Sequence, residues 1–250
     1  MNHNSNNDTF AWPAGKKAAL SLSFDDARPS QVERALPVLD AFGVPATFYV
    51  QCHNVERRLD DWRRAVARGH EIGNHTLSHP CTGNYAFSRA NALEEYSLER
   101  MEPELTGASA AIHELLGVTP QTFAYPCGQT FVGRGEQLQS YVPLVARHFL
   151  AGRAIGESAN DPAFADLAQL MSIVVDGATL EVVQAHVEKA LKSGGWLILV
   201  AHDVGEPAYQ TMSEAVLAAI CRSAVDPAHG LWLDTVANVA AHIQTTRAGI

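Results

Sequence analysis

Two short segments carry residue types suited to metal chemistry. Phe24-Asp25-Asp26 closes an apolar run, and His75-Thr76-Leu77-Ser78-His79 sets two imidazoles four positions apart. Two histidines with one carboxylate give three protein ligands, the count kept by a catalytic zinc whose fourth position stays open to water. The other aspartate would then be free to handle protons. Histidines at i and i+4 could also decorate a helix face. Pro80, directly after His79, disfavours a continuing helix and points to a shaped loop.

The elements that must position these groups follow from the patterning. Apolar runs at 18–24, 45–50, 70–74, 122–125, 150–155, 171–175, 196–201 and 231–233 alternate with helical patterns, as in a parallel sheet with helices packed outside it. Ser30-Gln31-Val32-Glu33 has the spacing of a capping box for a helix reaching Phe42, with Gly43 as its stop and Pro37 bending it. Further helices are expected near 60–68, 136–148, 180–192, 213–224 and 235–244, and over 88–116 as one broken helix or two, interrupted by Pro103 and Gly107. Asp25 and Asp26 follow the first strand, His75 the third, and His202 the run 196–201. All sit at carboxyl ends of strands, which in a parallel barrel form a single face where active sites assemble.

The bulk numbers agree with one domain. A chain of 250 residues with 47% hydrophobic content can bury one substantial core. We expect a loose tail over 1–16 and a single catalytic domain over 17–250. A net charge of -9, with no basic cluster beyond Arg57-Arg58 and Arg63-Arg64, argues against nucleic acid as a partner. The polar start lacks the apolar segment of a secretory signal, and no apolar run approaches the roughly 20 residues of a membrane span. A cytoplasmic protein is therefore expected. Cys52, Cys81, Cys127 and Cys221 are irregularly spaced, and reduced thiols are the expectation.

Ser23-Phe24-Asp25-Asp26-Ala27 together with His75-Thr76-Leu77-Ser78-His79 resembles the first two motifs of the NodB-type polysaccharide deacetylases, carbohydrate esterase family 4. The resemblance runs from about Lys17 to Ile243 and implies a distorted parallel (β/α)7 barrel of NodB-homology type. It also implies that Asp26, His75 and His79 bind one divalent metal and that Asp25 is the catalytic base. Zinc is the first candidate, with cobalt, nickel or manganese also compatible with imidazole and carboxylate donors. The first motif usually ends in glycine where this chain has Ala27; a negative φ there would make the exchange harmless and a positive one would not.

Phe123-Ala124-Tyr125-Pro126-Cys127-Gly128 is similar to the family's third motif, in which an arginine two residues before the proline braces the base. Ala124 stands at that position. Arg153, at the end of a strand, is the candidate replacement, since a nearby guanidinium would keep a buried carboxylate ionised and oriented. Cys127 replaces the usual aromatic, but the oxyanion donor implied there is its backbone N–H, which survives a side-chain change.

Leu197-Ile198-Leu199-Val200-Ala201-His202-Asp203 resembles the last motif, making His202 the acid that protonates the leaving group. Asp176 is the expected orienter of His202, with Asp203 as its rival. Asn74 and Ser78 could support the ligands, and Cys81-Thr82-Gly83-Asn84 resembles a metal-loop extension. The implied reaction is hydrolytic removal of acetyl, N- or O-linked, from a carbohydrate. The rival readings are hydrolysis of a small non-sugar amide on the same barrel and metal-dependent glycan binding without catalysis.

Overall fold

The two longest strands are buried along their whole length, as strands covered on both faces must be. The computed structural model describes residues 10–13 and 15–249. Its main sheet comprises β1 (Ala18–Asp25), β2 (Thr47–Val50), β3 (Glu71–Asn74), β4 (Thr122–Ala124), β5 (Ala151–Arg153), β6 (Ile173–Val174), β7 (Trp196–Ala201) and β8 (Leu231–Leu233). All pair in parallel, in the spatial order β5-β4-β3-β2-β1-β7-β6, with β8 on the amino-terminal half of β1. Just before β6, Leu170 N donates to Gly152 O while Ala154 N donates to Leu170 O. The chain entering β6 thus touches β5, and the parallel sheet expected from the alternating pattern curls into the distorted barrel that the family resemblance implies.

Helices α1 (Leu36–Phe42), α2 (Cys52–Glu56), α3 (Leu59–Ala67), α4 (Leu98–Leu116), α5 (Val142–His148), α6 (Leu180–Ser193), α7 (Glu214–Val225) and α8 (Val236–Ala248) surround it. A π-helical turn, Gln31–Ala35, precedes α1. Pro37 offers no N–H to the Glu33 carbonyl and its ring crowds that group, which favours the wider turn. The expected capping box does not form, because the Ser30 hydroxyl donates to Asp203 instead. Gly43 does end α1, at φ +62°. Helix α4 runs unbroken through Pro103 and Gly107. At Gly107 a Cβ would lie 2.6 Å from Leu77 Cδ1, so the glycine lets the loop carrying the two histidines settle on this helix.

Three local expectations need correction. Of the expected helix over 136–148 only α5 is α-helical; Gly135–Gln137 is a 3-10 turn, and Gln139–Ser140 pairs instead with Phe131–Val132, around a turn where Gly133 and Gly135 take positive φ. Of the expected 1–16 tail, residues 1–9 and 14 lie outside the described residues, while Trp12 is buried, donates through Nε1 to Gly194 O and stacks on His242. The cysteines are not all thiols: Cys81 and Cys127 form a disulfide, whereas Cys52 and Cys221 are free and buried. Cys81 follows β3 and Cys127 follows β4, and these strands are neighbours. That proximity depends on strand order and leaves no mark in the linear spacing. Among the described residues, no helix is long and apolar enough to cross a membrane.

Candidate metal centre

The carboxyl ends of the strands open into one cleft of about 890 Å³, lined by Asp25, Asp26, His75, His79, Cys127, Asp176 and His202. Asp26 leaves β1 at φ +78°, and Ala27 follows at φ +55°. The alanine therefore occupies the left-handed conformation that favours glycine. Thr76, His79, Cys127 and Gln210 are also positive in φ, so all six such non-glycine residues described lie in the loops of this cleft. Backbone strain of this kind persists only where the surroundings over-determine it, and it concentrates at functional sites.

Asp26 Oδ1 lies 3.7 Å from His75 Nε2 and 3.6 Å from His79 Nε2. One donor atom from each residue falls within 4.8 Å of the others. Metal bonds of about 2.0–2.2 Å to imidazole and carboxylate donors can be made from such a triangle with small closing movements, so the donor set fits one divalent ion. Burial opposes ionisation of Asp26, but His75, His79, Arg28 and His202 outweigh it and hold the carboxyl at about 2. Burial, with His75 beside it, lowers His79 to about 4 against the pull of Asp26 and Asp25. Both groups are thus biased toward the deprotonated forms that ligate metals.

The supporting shell is dense. His75 Nδ1 lies 2.9 Å from Ala124 O, which turns Nε2 toward the cleft. Asn74 donates to Leu105 O and Ser109 Oγ and accepts from Thr76 N, fixing the loop start. Glu104 of α4 accepts from Leu77 N, Ser78 N and Ser78 Oγ. Asn74 and Ser78 thus support the loop as expected.

Arg153 is 1% exposed, and its Nη2 donates to Asp25 Oδ1 and Oδ2 at 2.5 and 2.6 Å. Its guanidinium also lies over the Tyr49 ring, 4.9 Å from the centroid. Asp176 Oδ2 lies 2.6 Å from His202 Nδ1, and Asp176 Oδ1 accepts from His202 N. Burial opposes charging of His202, yet Asp176, Asp25 and Asp26 outweigh it and raise its pKa. Asp203 does not touch that imidazole; it takes Arg28 Nη1 and the Ser30 hydroxyl. Cys127 N makes no backbone hydrogen bond among the described residues.

Two residues emerge that patterning did not single out. Arg28 donates from Nε and Nη2 to Asp26 Oδ2, and Gln51 Nε2 donates to Asp26 Oδ1 at 2.9 Å. Arg28 stands just past the first motif, where an arginine is indistinguishable by type from an ordinary surface cation. Gln51 directly follows β2, and only the β1–β2 pairing brings it near Asp26.

Residues 13–139 match the family profile described as polysaccharide deacetylase. A chitooligosaccharide deacetylase of Sinorhizobium fredii is 45% identical over 63 residues, 25% of this chain and 29% of that protein. A peptidoglycan-N-acetylglucosamine deacetylase of Bacillus cereus is 30% identical over 121 residues, 48% of this chain and 40% of that protein. The chain thus spans less than half the length of these relatives. The crystal structure of a putative polysaccharide deacetylase from Mycobacterium smegmatis superposes with a TM-score of 0.69 at 19% identity, covering 95% of this chain and 93% of that one. At that identity the likeness establishes the fold alone.

Proposed function

Because the chain belongs to the polysaccharide deacetylase family, we propose that it is a metal-dependent hydrolase that removes acetyl groups from a carbohydrate. The observation that carries this reading is the convergence of Asp26, His75 and His79 beside two proton-handling pairs, Asp25 with Arg153 and His202 with Asp176, in one cleft. Asp26, His75 and His79 would hold the cation, zinc first and cobalt, nickel or manganese as alternatives. When bound, such an ion lowers the pKa of water and polarises the acyl carbonyl.

The remaining work falls to the chain's own groups. Asp25, oriented by Arg153, accepts the proton of the attacking water. The Cys127 N–H donates to the developing oxyanion, a contribution typically of about 3 kcal/mol. His202 passes its Nε2 proton to the departing nitrogen or oxygen, while Asp176 at Nδ1 fixes the tautomer that allows this.

A carbohydrate is favoured over a small amide by the rim of the cleft. Tyr85 and Phe87 stack there at 5.5 Å and 5°, and both are exposed, as is Tyr209. Exposed aromatic groups at a cleft mouth mark an interaction surface, and a flat ring suits the apolar face of a sugar.

The test is acetate release by zinc- or cobalt-loaded protein from N-acetylglucosamine oligomers, acetylated xylan and small acylated amines. Release from the glycans, abolished by chelation and by Asp25→Asn, is expected. Glycan binding with no acetate release in the metal-loaded protein would overturn the hydrolase reading, and turnover confined to the small amines would overturn the substrate class.

A further inference from the structure

Cys81 lies two residues after His79, and Cys127 carries the N–H directed to the oxyanion in the reading above; one disulfide joins them. This bond sits where the site is least supported by other means. His75 and His202 are each anchored at Nδ1 by oxygen, from Ala124 and Asp176. The described partner of His79 Nδ1 is a sulfur of this disulfide, Cys81 Sγ at 3.7 Å. Ligating histidines ordinarily orient their ring through an oxygen acceptor, and a disulfide sulfur is a weak one. The His79 backbone N–H is fixed on Thr76 Oγ1, but its ring is held by packing alone, against the bridge, His75 and Phe87.

The backbone makes the same demand. His79 and Cys127, at φ +52° and +54°, are both in the left-handed region, which needs external restraint in non-glycine residues. Near these two residues the described cross-links are the disulfide and one hydrogen bond, from Thr82 N to Gln129 Oε1; the other links between the loops, Gly133 N to Leu93 O and Arg134 with Glu95, lie farther along both segments. Cys81 is fully buried, whereas Cys127 lines the cleft, so a reductant can reach the bridge from the substrate side.

We propose that the Cys81–Cys127 disulfide is a redox-labile positioning bond that holds His79 and the Cys127 N–H in working geometry, so that its reduction weakens metal binding and turnover together. The inference rests on the metal-dependent reading above. In the reductive step a sulfur of an external dithiol attacks Cys127 Sγ. The S–S bond breaks, its electron pair leaves on Cys81 Sγ, and that sulfur takes up a proton. The second sulfur of the reductant then attacks the mixed disulfide and releases Cys127 as a thiol. Two electrons and two protons pass to the protein, and the dithiol departs as a disulfide.

The test compares three forms of the full chain: oxidised, reduced anaerobically with excess dithiol and then freed of it by gel filtration, and Cys81→Ser/Cys127→Ser. Thiol titration in denaturant verifies each state, and cobalt and zinc affinities are read by competition with a chelating dye. Reduction and the double variant are each expected to weaken affinity by about 10–100-fold, as loss of groups that orient a ligand typically does. Reductant should have no further effect on the double variant. A Cys52→Ser/Cys221→Ser variant, altered at the two free cysteines, should keep the full redox response. Equal affinity and turnover in fully reduced and oxidised protein would overturn the positioning role while leaving the metal reading intact. Tighter cobalt binding on reduction, with a sulfur-to-cobalt charge-transfer band, would also overturn it, because the thiols would then be ligands. An oxidised chain that binds neither metal would bring down both readings.

Discussion

Arg153 and Ala124 are cross-strand partners, the last residue of β5 beside the last residue of β4. The guanidinium that the family resemblance places on Ala124 is therefore displaced by one strand and still reaches Asp25, donating to both carboxylate oxygens. The pair is almost fully buried. Removing one partner of such a pair typically costs about 3–5 kcal/mol, because the other charge is left uncompensated. Arg153→Ala is expected to lose stability on that scale, read by denaturant unfolding. Its kcat should fall by about 100-fold or more, as expected when a reacting group drifts by an ångström. Restoring a guanidinium from the neighbouring strand, in Ala124→Arg/Arg153→Ala, should recover part of both. No recovery in a folded double variant would contradict the equivalence of the two positions.

The second pair sets the pH response. To act as an acid, His202 must carry its proton, and its raised pKa keeps the protonated form present above the ordinary imidazole range. Activity should therefore fall as pH rises through that elevated value, at higher pH than an ordinary imidazole would set. Asp176→Asn removes the largest of the opposing influences, and the alkaline limb of kcat should move to lower pH. Asp203→Asn, altered at a residue that contacts Arg28 and Ser30, should leave that limb in place. Equal movement in both variants would remove Asp176 from its role.

The parts of this site that were legible in the sequence are those where one residue type ends an apolar run. Asp25, His75 and His202 each follow a buried strand, and parallel pairing brings the strand ends to one face. Arg153 was legible only through the gap at Ala124, since its proximity to Asp25 depends on the β4–β5 register. Nothing local distinguishes Cys81 and Cys127 from the buried thiols Cys52 and Cys221, because their meeting depends on which strands are neighbours. The hairpin around Gly133 and Gly135 was hidden by apolar residues at helical intervals; positive φ at both glycines decided otherwise.

Arg28 offers a test of how the Asp26 carboxylate, a ligand in the proposed site, is held. Its two donors both go to Asp26 Oδ2, leaving Oδ1 as the oxygen facing the imidazoles. Without them the carboxylate can rotate, and metal affinity should fall by about 10–100-fold. Arg28→Ala should show this in a competition titration, and Arg28→Lys should recover it only in part, because a single ammonium does not reproduce the planar fork. Unchanged affinity in Arg28→Ala would mean that Gln51 and the backbone suffice to hold Asp26.

Ala27 tests whether the strained loop is maintained for its geometry. It is buried, at φ +55°, next to Asp26 at φ +78°. The left-handed conformation costs an L-residue about 1–2 kcal/mol, which glycine avoids. Against that gain stand the lost methyl, worth about 0.8 kcal/mol, and the greater chain entropy of glycine, about 0.5–1 kcal/mol. These nearly cancel, so Ala27→Gly should unfold within about 1 kcal/mol of the parent and keep its activity. Ala27→Val adds a branch at positive φ and volume to a packed site, where overpacking alone costs about 1–3 kcal/mol. Its stability should drop by at least that much, and turnover should fall with it, since any relaxation of the loop moves the Asp26 carboxylate. A valine variant with parental stability and kcat would show that the loop can relax without disturbing Asp26.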